Sequence, residues 1–532
     1  MVYRSLAIGL LMSAAPVCAS AQQTVAAPIE QTQLRELDAW SVSAISAQQG
    51  ALPSDLWNRS EPAFVAALMD RLPATYESPA AYILARRVLL SGGDAPRGDA
   101  SAAARERFEA LGKMGAADEL AQMAAGSGRG LTDPQIAQYA AQAELARGRR
   151  PEACARGRNA TAGETPPPFL LRLRAYCAAV TGDRPAAQLA LELARANNAE
   201  DAWYTGAVNA AAGAPSARPP AARYDNSLAT QLSLAAQLRP GPNALNESST
   251  LALVALARAE NAPQPQRAQA AALAYRRGAL SVQETRTILL ATPAEIASAL
   301  PPILVALRQV QAAPGSLAAA SAIAGVLRQS AAPADFAAAA RFFKDDIAAL
   351  QSAPDAAAAL LFARAALVSA DTQLSQRLVA SARQAGADEA ALAPLDAALA
   401  VLVGVRNDNG TQAMHRRIDG AGARGGPAAA RDVAILAALG APVDAQVQTF
   451  LLANAPAGGT RANAGAMLAL QNAADRGALG EGALLAVVAS GDGVARLDAD
   501  SVDGIIRSLR ALRLENDARR FAIEAILAGA PS

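Results

Sequence analysis

What most constrains this chain is its punctuation. Short Ala/Leu-rich segments follow one another from about residue 34 onward, and Pro, Gly and Asp break them at short intervals. The stretch from Asp133 to Asn198 shows the pattern plainly, with DPQIAQYAAQAELARGRRPEACARGR, a Pro-rich loop, and PFLLRLRAYCAAVTGDRPAAQLALELARANN. Small and apolar residues return at helical spacing, and Arg-Arg-Pro and Gly-Asp corners separate the segments. Each segment is too short and too poor in large side chains to bury a core alone. Stacked neighbours must therefore supply it, and the fold class predicted is all-α, a tetratricopeptide-like helical-hairpin solenoid or α-superhelix. That architecture presents surface and needs no chemistry of its own.

Composition sharpens this reading. Hydrophobic residues make up 52% of the 532 residues but aromatics only 4%, and about a quarter of the chain is Ala. Ala loses no side-chain entropy in a helix and allows close backbone approach, so thin Ala/Leu/Val seams are expected in place of an aromatic centre. The formal net charge of +1 gives no global attraction to nucleic acid. Lys appears at Lys113 and Lys344, and the many Arg are interleaved with Asp and Glu, as on a solvated helix face.

The N-terminus reads as an export signal over residues 1–21. Arg4 is the positive lead, Leu6 to Met12 a short apolar run, and Ala19-Ser20-Ala21 a cleavage site before Gln22. A lipoprotein reading through Cys18 is opposed by Val17, where a small residue is wanted. The run is too short to span a bilayer, and later Ala-rich segments carry Arg and Asp too often to do so. The mature protein is expected to be periplasmic. Removing the signal leaves Cys154 and Cys177 on either side of one loop, in helices that would run antiparallel at similar heights. A disulfide between them is expected in an oxidising compartment, with two separate buried thiols as the alternative.

The organisation expected is a polar lead-in over 22–33, a first helical array over 34–212, a joint over 213–226 (GAPSARPPAARYDN) and a second array over 227–532. A further loop, RPGPN, follows at Arg239 to Asn243. The clearest later unit is the hairpin from Asp355 to Gly386, and Ser501 to Leu512 with Glu515 to Leu527 reads as a closing hairpin with a polar outer face.

Several blocks carry a resemblance: Leu56-Trp57, Leu72-Pro73, Ser78-Pro79, Arg86-Arg87, LRLRAYCAAVTGD, YRRGALSVQE, LFARAAL and LRALRLENDARRFAIEAIL. In these the chain resembles a group of exported Ala-rich proteins of alphaproteobacteria, some labelled as antifreeze glycopeptides. The resemblance implies an exported tetratricopeptide-like protein and no catalytic residue. A true antifreeze glycopeptide places Thr at every third residue between Ala pairs, and this chain does not.

Candidates for chemistry are few. His415 is the single histidine, and multi-His metal sites are excluded. Gly420 to Gly425 matches G-x-G-x-x-G, yet HRRID precedes it where a dinucleotide fold needs an apolar strand. Asp498, Asp500 and Asp503 resemble part of a calcium loop, but Val502 and Leu509 occupy ligand positions, so a helix cap is the better reading. Glu119, Glu144 and Glu192 lie in repetitive amphipathic segments without the aromatic-rich catalytic domain a glycosidase would carry. No cofactor or metal is expected. Trp40, Trp57, Trp203 and Tyr204 read as core anchors that close gaps between Ala seams, and for Trp203 and Tyr204, just before the joint, a partner groove is the functional alternative. The expected function is a non-enzymatic scaffold or adaptor binding a protein or peptide in the cell envelope. Binding of an envelope polymer such as peptidoglycan is the alternative, and a hydrolase with an unrecognised carboxylate site ranks third.

Overall fold

The computed structural model describes residues 38–127, 133–160, 166–214, 218–293, 301–422 and 425–528. The export signal and the polar lead-in, with Cys18, lie outside the described residues. Every regular element described, apart from short 3₁₀ turns, is an α-helix, and there are no strands among the described residues.

The first helices are α1 (Pro62–Asp70), α2 (Pro79–Leu90), α3 (Ser101–Lys113), α4 (Ala117–Gly126) and α5 (Pro134–Ala146). Pro at the first turn is tolerated because its missing N–H would have no partner there. At α2 and α5 the residue before this Pro caps the helix: Ser78 accepts from the Ala81 N–H at 3.1 Å and Asp133 from the Gln135 N–H at 2.9 Å. Then come α6 (Arg150–Asn159), α7 (Pro168–Val180), α8 (Arg184–Ala196) and α9 (Ala202–Ala211). The Gly-Asp corner between α7 and α8 works through Gly182, whose φ of 81° is a left-handed conformation that costs Gly little, and Asp183, which caps α8 at the Ala186 N–H. The disulfide joins α6 to α7 through Cys154 and Cys177, with Cα atoms 6.0 Å apart.

Beyond the expected joint stand α10 (Ser227–Ala235), α11 (Thr250–Arg258), α12 (Gln264–Arg276), α13 (Val282–Leu290), α14 (Pro302–Ala312), α15 (Leu317–Gln329), α16 (Pro333–Phe342) and α17 (Lys344–Ala349). The described part of the joint is held at several points. Ala222 donates to Arg239 O at 2.9 Å, and Arg223 N–H to the Ser233 hydroxyl at 3.0 Å. Both α10 and α11 pack back onto α5, so residues on the two sides of the joint belong to one compact unit.

The last group is α18 (Ala356–Val368), α19 (Thr372–Gln384), α20 (Glu389–Val403), α21 (Asp408–Asp419), α22 (Gly426–Ala438), α23 (Ala445–Ala453), α24 (Ala464–Arg476), α25 (Leu479–Ser490), α26 (Ala499–Ala511) and α27 (Glu515–Leu527). Sequential hairpins such as α7/α8, α11/α12, α18/α19, α24/α25 and α26/α27 are the packing unit, as the sequence predicts. Their seams are thin: α18 buries Ala358, Ala359, Ala363, Ala365 and Ala366 beside Leu361, Phe362 and Leu367.

The array does not end freely. α27 buries Phe521, Ile523, Ile526 and Leu527 and packs against α2, α18, α20 and α22 as well as α26. The final hairpin keeps a polar outer face, with Arg507, Arg513, Asn516 and Arg519 exposed, while most of the rest of α27 is core, covered by α2, α18, α20 and α22. α1 and α2 also lie on α25. Gly480 donates to Leu56 O at 2.9 Å, Arg87 pairs with the buried Asp517, and Arg59 and Arg476 exchange hydrogen bonds with each other's carbonyls. Trp57, fully buried, and Trp40 meet edge to face at 5.7 Å within this junction.

One buried cation organises the junction's flank. Arg107 is 0% exposed and donates to Leu89 O, Ala39 O and Ser91 O, each at 2.8 Å. It satisfies carbonyls at the C-terminus of α2 and ties the lead segment to it. Burial pulls its pKa down to about 10, still well above neutrality.

Candidate functional site

The residues singled out for chemistry are mostly engaged in holding helices together. Glu144 is buried between Arg147 at 3.1 Å and Arg156 at 3.0 Å, Glu119 pairs with Arg86, and Glu192 lies 2.8 Å from Arg195. His415 Nε2 meets Asp444 Oδ2 at 2.8 Å, and that Asp caps α23 through the Val447 N–H. Asp498 caps α26 by accepting from Ser501 N–H at 2.8 Å. No cluster of three metal-ligating side chains occurs among the described residues. Gly420 to Gly422 form a turn after α21; the rest of that glycine motif lies partly outside the described residues.

Trp203 and Tyr204 sit side by side on α9, ring centroids 4.9 Å apart, with only 7% and 3% of their surfaces exposed. Asp201 caps α9 at the Trp203 N–H (2.9 Å). Trp203 Nε1 donates to Ala221 O at 2.7 Å, and Tyr204 shares a hydrogen bond with Asn226. Arg223 covers the Trp ring and Arg172 the Tyr ring, at 5.1 and 4.7 Å. Burial pushes the Tyr204 hydroxyl up to about 12. The pair thus clamps the described part of the joint, and neither ring lines the cleft described next.

That cleft, about 700 Å³, opens between α12, α14, α15, α16 and the loop that carries Pro240 and Pro242. The prolines account for it. Pro265, Pro301 and Pro302 sit at the starts of α12 and α14, and Pro240 and Pro242 lie in the loop between α10 and α11, so five proline rings line the walls. Ala272, Ala338 and Ala339 line it with little more than backbone and methyl groups. Four amide side chains, Asn246, Gln266, Gln269 and Gln329, offer donors and acceptors together. At one side Arg276 and Asp335 form an ion pair at 2.8 Å. Tyr275 donates to Ala338 O at 3.0 Å and Tyr224 reaches Gln266 Oε1 at 3.5 Å; both rings are nearly buried, so they shape the walls and present little face.

Sequence reading named the RPGPN loop but not this cleft. Its signal was available in the concentration of Pro and Gln around Gln264 to Gln269, yet only the packing of α12 against α16 brings those positions opposite Gln329 and Asp335. No helix among the described residues is long and apolar enough to cross a membrane. Comparison with protein-family models, with curated proteins and with solved structures gives no match to this chain.

Proposed function

We propose that this protein is an exported, non-enzymatic scaffold that binds an extended peptide segment of an envelope protein in the cleft between α12 and α14–α16. The observation that carries the reading is the lining: four amides and five proline rings around small side chains, with one ion pair at the side. Amides can pair with the free N–H and C=O groups of an extended backbone, and proline rings offer flat apolar contact. Export rests on the signal-like N-terminus and is supported by the Cys154–Cys177 disulfide, which persists in oxidising compartments. Membership in the exported Ala-rich group that the sequence resembles is part of the same proposal.

A peptide is favoured over a glycan strand by the aromatic rings. Sugar sites commonly stack rings on exposed aromatic faces, whereas Tyr224 and Tyr275 are 3% and 4% exposed. The test is an array of proline-containing peptides probed with the full chain, beside sedimentation with purified sacculi. Selective peptide binding that Ala272→Arg removes by filling the cleft supports the proposal. Sedimentation with sacculi and no peptide selectivity would overturn it in favour of polymer binding.

A further inference from the structure

A second cavity, about 220 Å³, lies where the beginning and end of the array meet, between α2, α16, α18 and α27. It shares no lining residue with the cleft. Most of its wall is apolar, with Ile83, Phe336, Leu367, Val368, Ile523 and Leu527. Four cations also line it, against one carboxyl group, Glu524. Two of the cations are answered: Lys344 by Asp371 at 3.0 Å and Arg520 by Asp517 at 3.3 Å. Arg341 and Arg364 form no ion pair among the described residues.

Arg364 is the more exposed in energetic terms. Its Nε is shut off from water without a hydrogen-bond partner, and its guanidinium lies 4.6 Å over the Phe336 ring. Desolvation lowers its pKa. Glu524 does not resolve the imbalance: its Oε2 accepts from Ser78 Oγ and the Ala80 N–H, both at 2.9 Å, and its Oε1 has no partner. Burial pushes this carboxyl up to about 7, so near neutrality it repels an incoming anion less than an ordinary Glu would. A half-buried cation without an ion-pair partner and a buried, unpartnered N–H each cost free energy that a complementary anion reduces.

We propose that this cavity binds a short linear carboxylate, its head at Arg341 and Arg364 and its tail along Ile83, Leu367 and Leu527. The guanidinium fork suits a carboxylate. The volume suits a chain of roughly six to ten carbons, since a dry cavity of about 150 Å³ already accepts benzene.

The test is calorimetric titration of the full chain with octanoate, 1-octanol and acetate at pH 6.5. Octanoate is expected to bind at least tenfold more tightly than either comparison, because both head and tail are recognised. Arg364→Met should weaken octanoate at least tenfold and Arg364→Lys less. Ile83→Trp, which fills the cavity from a half-buried position, should abolish binding while the melting temperature holds. Should Arg364→Met fail to fold, Ile83→Trp and the head-and-tail comparison still decide. Octanol binding as tightly as octanoate, octanoate indifferent to Arg364→Met or to Ile83→Trp, or no octanoate binding overturns the proposal.

Discussion

Replacing Glu524 by Gln should make the protein's stability less dependent on pH, and the size follows from where the carboxyl sits. Its pKa rises from 4.5 to about 7, chiefly because burial disfavours the anion, while the Ala80 N–H and the Ser78 hydroxyl pull the other way. Each unit corresponds to about 1.4 kcal/mol, so ionised Glu524 costs about 3 kcal/mol in the folded state. The sign is that of a raised carboxyl: its favourable contribution is complete below about pH 4.5 and is lost as pH climbs through 7. Gln keeps an oxygen for the Ala80 and Ser78 donors and never ionises. Unfolding entropy for roughly 500 residues is about 1 kcal/mol per degree, so the effect amounts to about 3 °C in melting temperature. Wild type and Glu524→Gln melted at pH 5 and pH 8 should differ by about 3 °C more at pH 8, in favour of the variant. An equal difference at both pH values would refute the reasoning. So would a wild type that gains on the variant as pH rises, for then the positive end of α2 outweighs desolvation.

Two further outcomes follow from the packing. Non-reducing peptide mapping should recover the Cys154 and Cys177 peptides as one species, and the double Ser variant should lose about 3.5 kcal/mol, as the chain-entropy relation gives for a loop of this length; free thiols at both positions in unreduced protein would exclude the link. Arg107→Met strips three buried carbonyls of their donor, and at about 1–3 kcal/mol for each, less the relief of burying no cation, it should cost about 3–5 kcal/mol. A melting temperature unchanged within a degree would show that those carbonyls find other donors.

Local grammar was legible because it is local. Ser78, Asp133 and Asp183, each just ahead of a Pro in the first turn, cap the helices that follow them, and the Cys pair is bridged because one loop separates two adjacent helices. Trp40 and Trp57, large rings in an aromatic-poor chain, are buried as such rings should be. The meeting of α2 with α27 was not legible. Ala/Leu periodicity says that a face is apolar, not which distant face covers it, and Glu515 to Leu527 reads polar on one side because Asn516 and Arg519 do stay exposed. The cleft escaped for a related reason: it is a gap between helices, shaped by prolines and small side chains scattered from Pro240 to Ala339.

The junction of the first and last helices has a temporal consequence. In an open stack, each hairpin can settle on the one before it as the chain emerges. Here Leu56, the Pro79 end of α2 and Arg87 meet Gly480, Glu524 and Asp517, each pair more than 400 residues apart along the chain. Contacts of such separation form late, because closing a long loop precedes any gain from making them. Until α27 arrives, the apolar faces of α2, α18 and α20 stay uncovered and open to misassociation. The early helices therefore complete their burial only when α27 has been added.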